Sequence, residues 1–168
     1  LLVHPAEWRE QRRRMRREDP ELERLWGYWQ RQLAGELPVL ALPTDRPRAA
    51  EGAARVAASL PFTLPAPLVA SMLDLARSAG VAPYAVLLAA WAALLHRYTG
   101  QEDVLVGSPM ACRGGVAGAD ELVADMANPV LLRLDLRGGE GGAPLAFGAL
   151  LQRCARVAAG AVQHQDMP

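Results

Sequence analysis

The sequence predicts an α/β domain, a mixed sheet with helices packed on it. Two runs alternate apolar and polar residues with a period of two, over 56–64 and 130–136. Three other stretches repeat their apolar residues at helical spacing, and each follows or contains a proline that suits a helix start. With a short apolar run over 103–109, the order becomes β-α-α-β-β-α. A chain of 168 residues that is 51% hydrophobic and 21% charged can bury one real core.

The amino-terminal part is charged and helix-favouring, "WREQRRRMRREDPELERLWGYWQRQLAG", broken at Pro20 and closed by Gly35. Residues 12–17 carry five arginines in six positions. Acids Glu18, Asp19, Glu21 and Glu23 adjoin them and no aromatics interleave, so they read as a solvated helix face and not a nucleic-acid patch. Leu22, Leu25, Trp26, Trp29 and Leu33 then recur at helical spacing, so this second segment docks against something. "ELPVLALPTDRPRAAEG" has no periodicity and prolines at 38, 43 and 47. Proline fixes its own φ and restrains its predecessor, which makes this an extended strap.

Val56, Ala58, Leu60, Phe62 and Leu64 share one face of a predicted strand, which Pro61 confines to an edge or a bulge. Pro67 begins a helix whose stripe is Leu68, Met72, Leu75, Ala76 and Ala79 and whose end is Gly80. Pro83 begins a second helix, apolar nearly all round and so expected to be buried, running to about Tyr98 before Gly100. "DVLVGSP" reads as a short strand and "ACRGGVAGAD" as a glycine-rich loop. Val130, Leu132, Leu134 and Leu136 mark one face of the next strand. After Pro144 a last helix turns Ala146, Leu150, Cys154, Val157 and Ala161 inward and fades at "AVQHQDMP". The organisation is thus a helical segment over 1–36, a connector over 37–53 and an α/β portion over 54–168.

Zero formal net charge gives no global pull toward nucleic acid or an anionic membrane. The longest apolar run, "YAVLLAAWAALL", falls short of the roughly 18–20 residues of a membrane span, and the amino end has no basic leader. Cys112 and Cys154 are isolated from each other and from any histidine cluster, which suits buried fillers and, with them, a cytoplasmic setting. "RGGVAGAD" and "RGGEGGAP" match neither a P-loop nor a dinucleotide fingerprint. Only three histidines exist. His4 precedes a proline near the amino end, His96 falls in the last turn of the apolar helix where a capping role suits it, and His164 has Asp166 close by. On a helix, residues two apart point about 200° apart, so His164 and Asp166 could not face one another there. No serine sits in a nucleophile elbow, and no complete catalytic constellation is visible.

Three stretches, in order and register, resemble condensation domains of nonribosomal peptide synthetases. "YWQRQLAGELPVLALPTDRPR" is similar to that family's YW…QLAG…P…LPTDRPR segment, and "LLHRYTGQEDVLVGSPMACR" to its L…RYTGQ.D..VG.P.A.R stretch. The terminal "HQDMP" resembles the start of its His-Gln-Asp-x-Pro-Phe-Glu motif. The likeness runs from roughly Leu25 to Pro168. It implies part of a chloramphenicol acetyltransferase-like fold: the end of the amino lobe, the connector and the first part of the carboxyl lobe. In the family a tunnel separates two lobes, and carrier proteins bring phosphopantetheine thioesters to its mouths.

The family's His-His-x-x-x-Asp-Gly motif is absent from these residues, so the resemblance implies a fragment of an amide-forming enzyme, inactive alone, with no directly bound cofactor. Its implied partners are carrier proteins, the missing amino lobe and adjoining synthetase domains. Isolation is expected to cause self-association through the unpartnered stripe Leu22-Leu25-Trp29-Leu33 and the sheet edges. Asn128, His164 and Asp166 are the implied tunnel or lobe-contact residues, and no residue is assigned to catalysis or metal binding. The family's Tyr-x-Asp-Phe-x-x-Trp motif would fall on residues 2–8, where only Trp8 matches. "VADMANP" keeps Asn128 of the motif Ile-Gly-x-Phe-Val-Asn-Thr but has Ala124 for glycine and Pro129 for threonine. Those departures favour an alternative, a degenerate remnant serving as spacer or docking module in a megasynthase.

Overall fold

The first described helix, α1 (Pro20–Gln32), starts on a proline whose fixed φ suits a first turn and whose missing N–H costs nothing there. Glu21 and Glu23 lie in its first turn and Arg31 in its last, matching the helix dipole at both ends. Leu25 and Trp29, one turn apart, are buried. Trp26 is a correction to the expected stripe: it stays half exposed, because one step along a helix turns it about 100° from Leu25. A computed structural model supplies these coordinates and describes residues 20–45, 58–111, 127–138 and 143–167. The expectations for the arginine run, His4, Trp8, Cys112, Ala124 and both glycine-rich loop centres lie outside the described residues.

Helices α2 (Ala66–Ala79) and α3 (Pro83–Thr99) pack on one another and turn by 106° across the break that separates them. Each begins with proline in its first turn and ends on a left-handed glycine, Gly80 at φ 64° and Gly100 at φ 70°. On α2 the covered seam is Val69, Met72, Ala76 and Ala79, whereas Leu68 and Leu75, expected inside, are exposed. Ala76 is the only buried residue of the helix, so close approach is made through small side chains. Helix α3 also departs from expectation. Ala85, Val86, Leu88, Ala89, Ala92 and Leu95 are buried, while Tyr84, Leu87, Trp91, Leu94 and Tyr98 are exposed. Apolar composition makes burial favourable on every face, yet only a neighbouring element can provide it.

The end of α3 shows what "HRYTGQ" does. Gly100 N–H donates to His96 O at 2.7 Å, and Thr99 Oγ1 donates to Leu95 O at 2.8 Å while accepting from Gln101 N–H at 3.1 Å. His96 Nδ1 lies 2.8 Å from Gln101 O, so that nitrogen carries the proton and the side chain caps the turn. The Gln101 amide then grips the strap from both sides: Oε1 accepts from Ala41 N–H at 2.8 Å and Nε2 donates to Val39 O at 3.0 Å. A side-chain amide here substitutes for a neighbouring strand. Gln101→Ala should speed hydrogen exchange at Ala41 and cost about 1 kcal/mol of stability. Unchanged protection at Ala41 would show that the strap is held by something else.

Strands β1 (Asp103–Ala111) and β2 (Ala127–Asp135) form a two-stranded sheet. Leu136 N–H donates to Glu102 O at 2.7 Å, which puts the exit of β2 beside the entry of β1 and makes the pair antiparallel. Val130, Leu132, Leu134 and Leu136 are all buried, as their alternation predicts. The strand expected over 56–64 is not formed in its described part, 58–64. Pro61 and Pro65 lack N–H donors and no strand pairs with this segment among the described residues, so Leu60 and Phe62 stand 90% and 82% exposed. The last helix, α4 (Phe147–Gln163), buries Leu150, Leu151, Cys154, Ala158 and Ala161. Ala146, expected on its inner face, precedes the helix and is exposed. Burial pushes the Cys154 thiol up to about 11, consistent with an inert filler.

The chain divides into two compact units. One comprises residues 1–38, 105–134 and 156–168, and its buried residues include Leu25, Trp29, Leu132 and Ala161. The other comprises 39–104 and 135–155, with a core of Ala85, Leu88, Ala92, Leu95, Leu151 and Cys154 among others. Among the described residues no single helix is long and apolar enough to cross a membrane.

Candidate functional site

The residues singled out by the sequence, Asn128, His164 and Asp166, lie in the first unit around the end of α4. A helix ends with carbonyls that have no partner within it, and α4 has no left-handed glycine to turn them inward. Side chains from α1 and β2 perform that task instead. Arg24 Nη2 donates to Gln163 O at 3.2 Å, and Trp29 Nε1 donates to His164 O at 2.9 Å. Asn128 Nδ2 donates to Gln165 O at 2.7 Å and Met167 O at 2.8 Å, spending both amide hydrogens on the turn. Four successive or near-successive carbonyls of "QHQDM" are thereby satisfied.

His164 is fixed on three sides. Its ring stacks on Tyr28 with centroids 3.9 Å apart and planes within 8°. Nδ1 lies 2.7 Å from Gly160 O, a pure acceptor, so Nδ1 bears the hydrogen. Nε2 therefore offers its lone pair, and Arg24 Nη1 donates to it at 2.8 Å. Arg24 is itself aimed by Glu21, which accepts from its Nε at 2.9 Å and Nη2 at 2.7 Å. That pairing holds the Glu21 carboxyl below its usual range and the Arg24 guanidinium above its own. Tyr28 also meets Trp29 edge-on, centroids 5.0 Å apart at 81°, and burial pushes its hydroxyl up.

Asp166 is not the partner of His164: both ring nitrogens are taken, by Gly160 and Arg24. Chemically the cluster can cap and orient, and neither nitrogen of His164 is left unspent. The sequence reading did not single out Arg24 or Gly160, and it met Tyr28 only as the first residue of the YW segment, without joining it to His164. Arg24 and Tyr28 stand one turn apart on α1, but nothing local connects them to a histidine 140 residues away. Beside the cluster, a mostly apolar cleft of about 190 Å³ is lined by Trp29, Leu33, Asn128, Val130, Leu131 and Met167, among others. A wider cleft of about 730 Å³ lies in the second unit, lined in part by His96 and Arg137. Their polar groups are committed to capping α3 and to Asp135, respectively. Among the described residues no cluster of three or more potential metal ligands occurs.

An α/β chain with this order of elements and this capped His-Gln-Asp turn is of the chloramphenicol acetyltransferase-like class. Residues 6–168 match the Condensation domain family, and the chain belongs to it. It is 36% identical to phosphinothricin tripeptide synthetase PhsC of Streptomyces viridochromogenes over 172 aligned positions, covering all of this chain and 15% of that one. It is also 36% identical to malpibaldin synthetase of Mortierella alpina, across 88% of this chain and 2% of the synthetase. Among solved structures, the first condensation domain of the CDA synthetase superposes with a TM-score of 0.68, 26% identity, and 89% and 31% coverage of the two chains. The X-domain from teicoplanin biosynthesis gives 0.84, 25% identity, and 99% and 36% coverage. The chain thus spans a small part of these synthetases and about a third of the solved chains.

Proposed function

We propose that this chain is one portion of a condensation domain whose parent forms amide bonds in nonribosomal peptide, or hybrid polyketide, synthesis. The acceptor amine attacks the donor thioester carbonyl; the C–N bond forms, the C–S bond breaks, and one proton passes from nitrogen to the departing sulfur. Both groups would arrive as phosphopantetheine thioesters on carrier proteins, with adjoining synthetase domains as partners in the cytoplasm. The family match over residues 6–168 carries the reading. A relay for that proton needs an imidazole nitrogen with a free lone pair or hydrogen. His164 has neither, and the His-His-x-x-x-Asp-Gly motif is absent from the 168 residues. On the absence of that motif the chain alone should be inactive, with Asn128, His164 and Asp166 as contact residues and not acid–base groups.

Two measurements test this. The native product should have a mass far above 18.1 kDa, with the doubled-histidine motif upstream. The 168-residue chain, given aminoacyl carriers, should form no dipeptidyl thioester; turnover by the chain alone would overturn the assignment. A second reading, a condensation-like docking module, draws on Pro129 and on the likeness to the X-domain, which has been solved in complex with OxyB. A long parent that lacks the doubled-histidine motif would favour it.

A further inference from the structure

The cleft of about 730 Å³ lies wholly within the second unit, between the end of α3 and the stretch that leads from β2 into α4. Its apolar wall is made by Leu136, Leu145, Phe147 and Leu150. The frame around them is fixed by bonds already made. Arg153 Nη1 donates to Asp135 O at 3.0 Å and to Arg137 O at 2.8 Å, and Leu136 N–H donates to Glu102 O at 2.7 Å. A Cβ at Gly138 would collide with Ala143 O, so these two backbones meet as closely as only glycine allows. Arg137 is held by the Asp135 carboxylate and feels Glu102 at longer range. Two charges that line the cleft are unspent. Among the described residues, the side chains of Arg97 and Glu102 have neither an ion pair nor a hydrogen bond, with each other or with anything else.

We infer that this cleft binds a short apolar peptide with both ends free, its carboxylate on Arg97, its ammonium on Glu102 and its side chains against Leu136, Leu145, Phe147 and Leu150. The inference does not depend on the functional reading above. Charge complementarity selects the ligand. An anion would be repelled by Glu102 and a cation by Arg97, whereas a zwitterion pairs with both and adds no net charge to the cleft. An uncharged apolar molecule would use the wall and leave both charges idle. Volume selects the size. Small-molecule sites span about 300–1,000 Å³ and bury most of their ligand's surface. A single amino acid would leave most of this cleft unfilled, while about two residues occupy it more fully and separate the two ionic ends by roughly 6–7 Å.

The test is calorimetric titration of the protein, as its host makes it, with leucyl-phenylalanine, with the same dipeptide capped at both ends, and with free phenylalanine. The uncapped dipeptide should fill one site with a Kd on the order of 0.1 mM and slow hydrogen exchange over residues 145–150. Arg97→Gln and Glu102→Gln should each weaken it by about three- to fivefold, the worth of an exposed ion pair, and capping both ends by about tenfold. Both side chains are exposed, so neither substitution threatens the fold. No binding at roughly 10 mM dipeptide would overturn the inference. So would equal affinity for the capped dipeptide, which would make the cleft merely apolar. An effect of one variant and not the other would rule out the zwitterion, and no effect of either would place the ligand elsewhere. Free phenylalanine binding as tightly as the dipeptide would replace the peptide by an amino acid.

Discussion

Gly160→Ala should destabilise the chain by about 1–2 kcal/mol, although alanine is the better helix former. A Cβ at this position would lie 2.6 Å from Tyr28 Oη and 3.1 Å from ring carbons Cε2 and Cζ. Removing glycine from a helix interior returns up to ~1 kcal/mol. Overpacking costs about 1–3 kcal/mol when the obstructing group cannot move. Here it cannot move cheaply, because the Tyr28 ring is stacked on His164 and meets Trp29 edge-on. Displacing it also disturbs the ring whose Nδ1 donates to Gly160 O. Chemical denaturation of Gly160→Ala, Tyr28→Phe and the double variant would separate the contributions. The pair should lose less than the sum of the singles, since removing Oη relieves the shortest contact. A Gly160→Ala variant more stable than its parent would mean that the Tyr28–His164 stack is not maintained.

The sequence made some of this visible and hid the rest for physical reasons. Pro67, Pro83, Gly80 and Gly100 delimit α2 and α3 because proline and glycine act on their own backbone, whatever surrounds them. Val130 to Leu136 could be read as one buried face because alternation and burial agree there. Leu60 and Phe62 carry the same alternation, yet a strand exists only with a partner, and sequence does not contain the partner. Helix α3 was apolar enough to be read as buried on all sides, but coverage is a property of its neighbours.

The candidate site follows the same division. His164, Asp166 and Asn128 came forward through motifs whose residues are consecutive or nearly so. Arg24 did not, and Tyr28 did so only as the start of the YW segment, because their bond and stack to His164 join distant parts of the chain. The motif reading placed His164 among contact residues without saying what it contacts. Three assigned sides of the ring supply that content, and they explain why a histidine suits the place. Only imidazole can donate to a carbonyl from one nitrogen, accept from a guanidinium at the other and stack its flat face on a tyrosine.

Asn128→Asp is the substitution with the largest expected effect, because it changes almost no volume and reverses the polarity of every bond that matters. The wild-type Nδ2 donates both hydrogens, to Gln165 O and Met167 O. A carboxylate would set one acceptor oxygen, in the place of Nδ2, against two carbonyls, leaving those carbonyls without donors and adding a repulsive charge. Each buried acceptor left unmade costs about 1–3 kcal/mol, toward the lower figure at a half-buried position such as this. A total loss of about 2–4 kcal/mol is expected for Asn128→Asp, and about half of that for Asn128→Ala, which removes the donors without adding charge. The order of the two variants is the informative quantity, since a merely steric role would make alanine the worse. Acidification tests the sign. The introduced carboxyl can donate one bond when protonated, so the folded form holds the proton more tightly than the unfolded chain does. Part of the loss should therefore return as pH falls, and that recovery is complete below about 4. Hydrogen exchange should show the loosening first at Gln165–Met167. Equal stability of Asn128→Asp and the parent would show that these two bonds do not hold the turn.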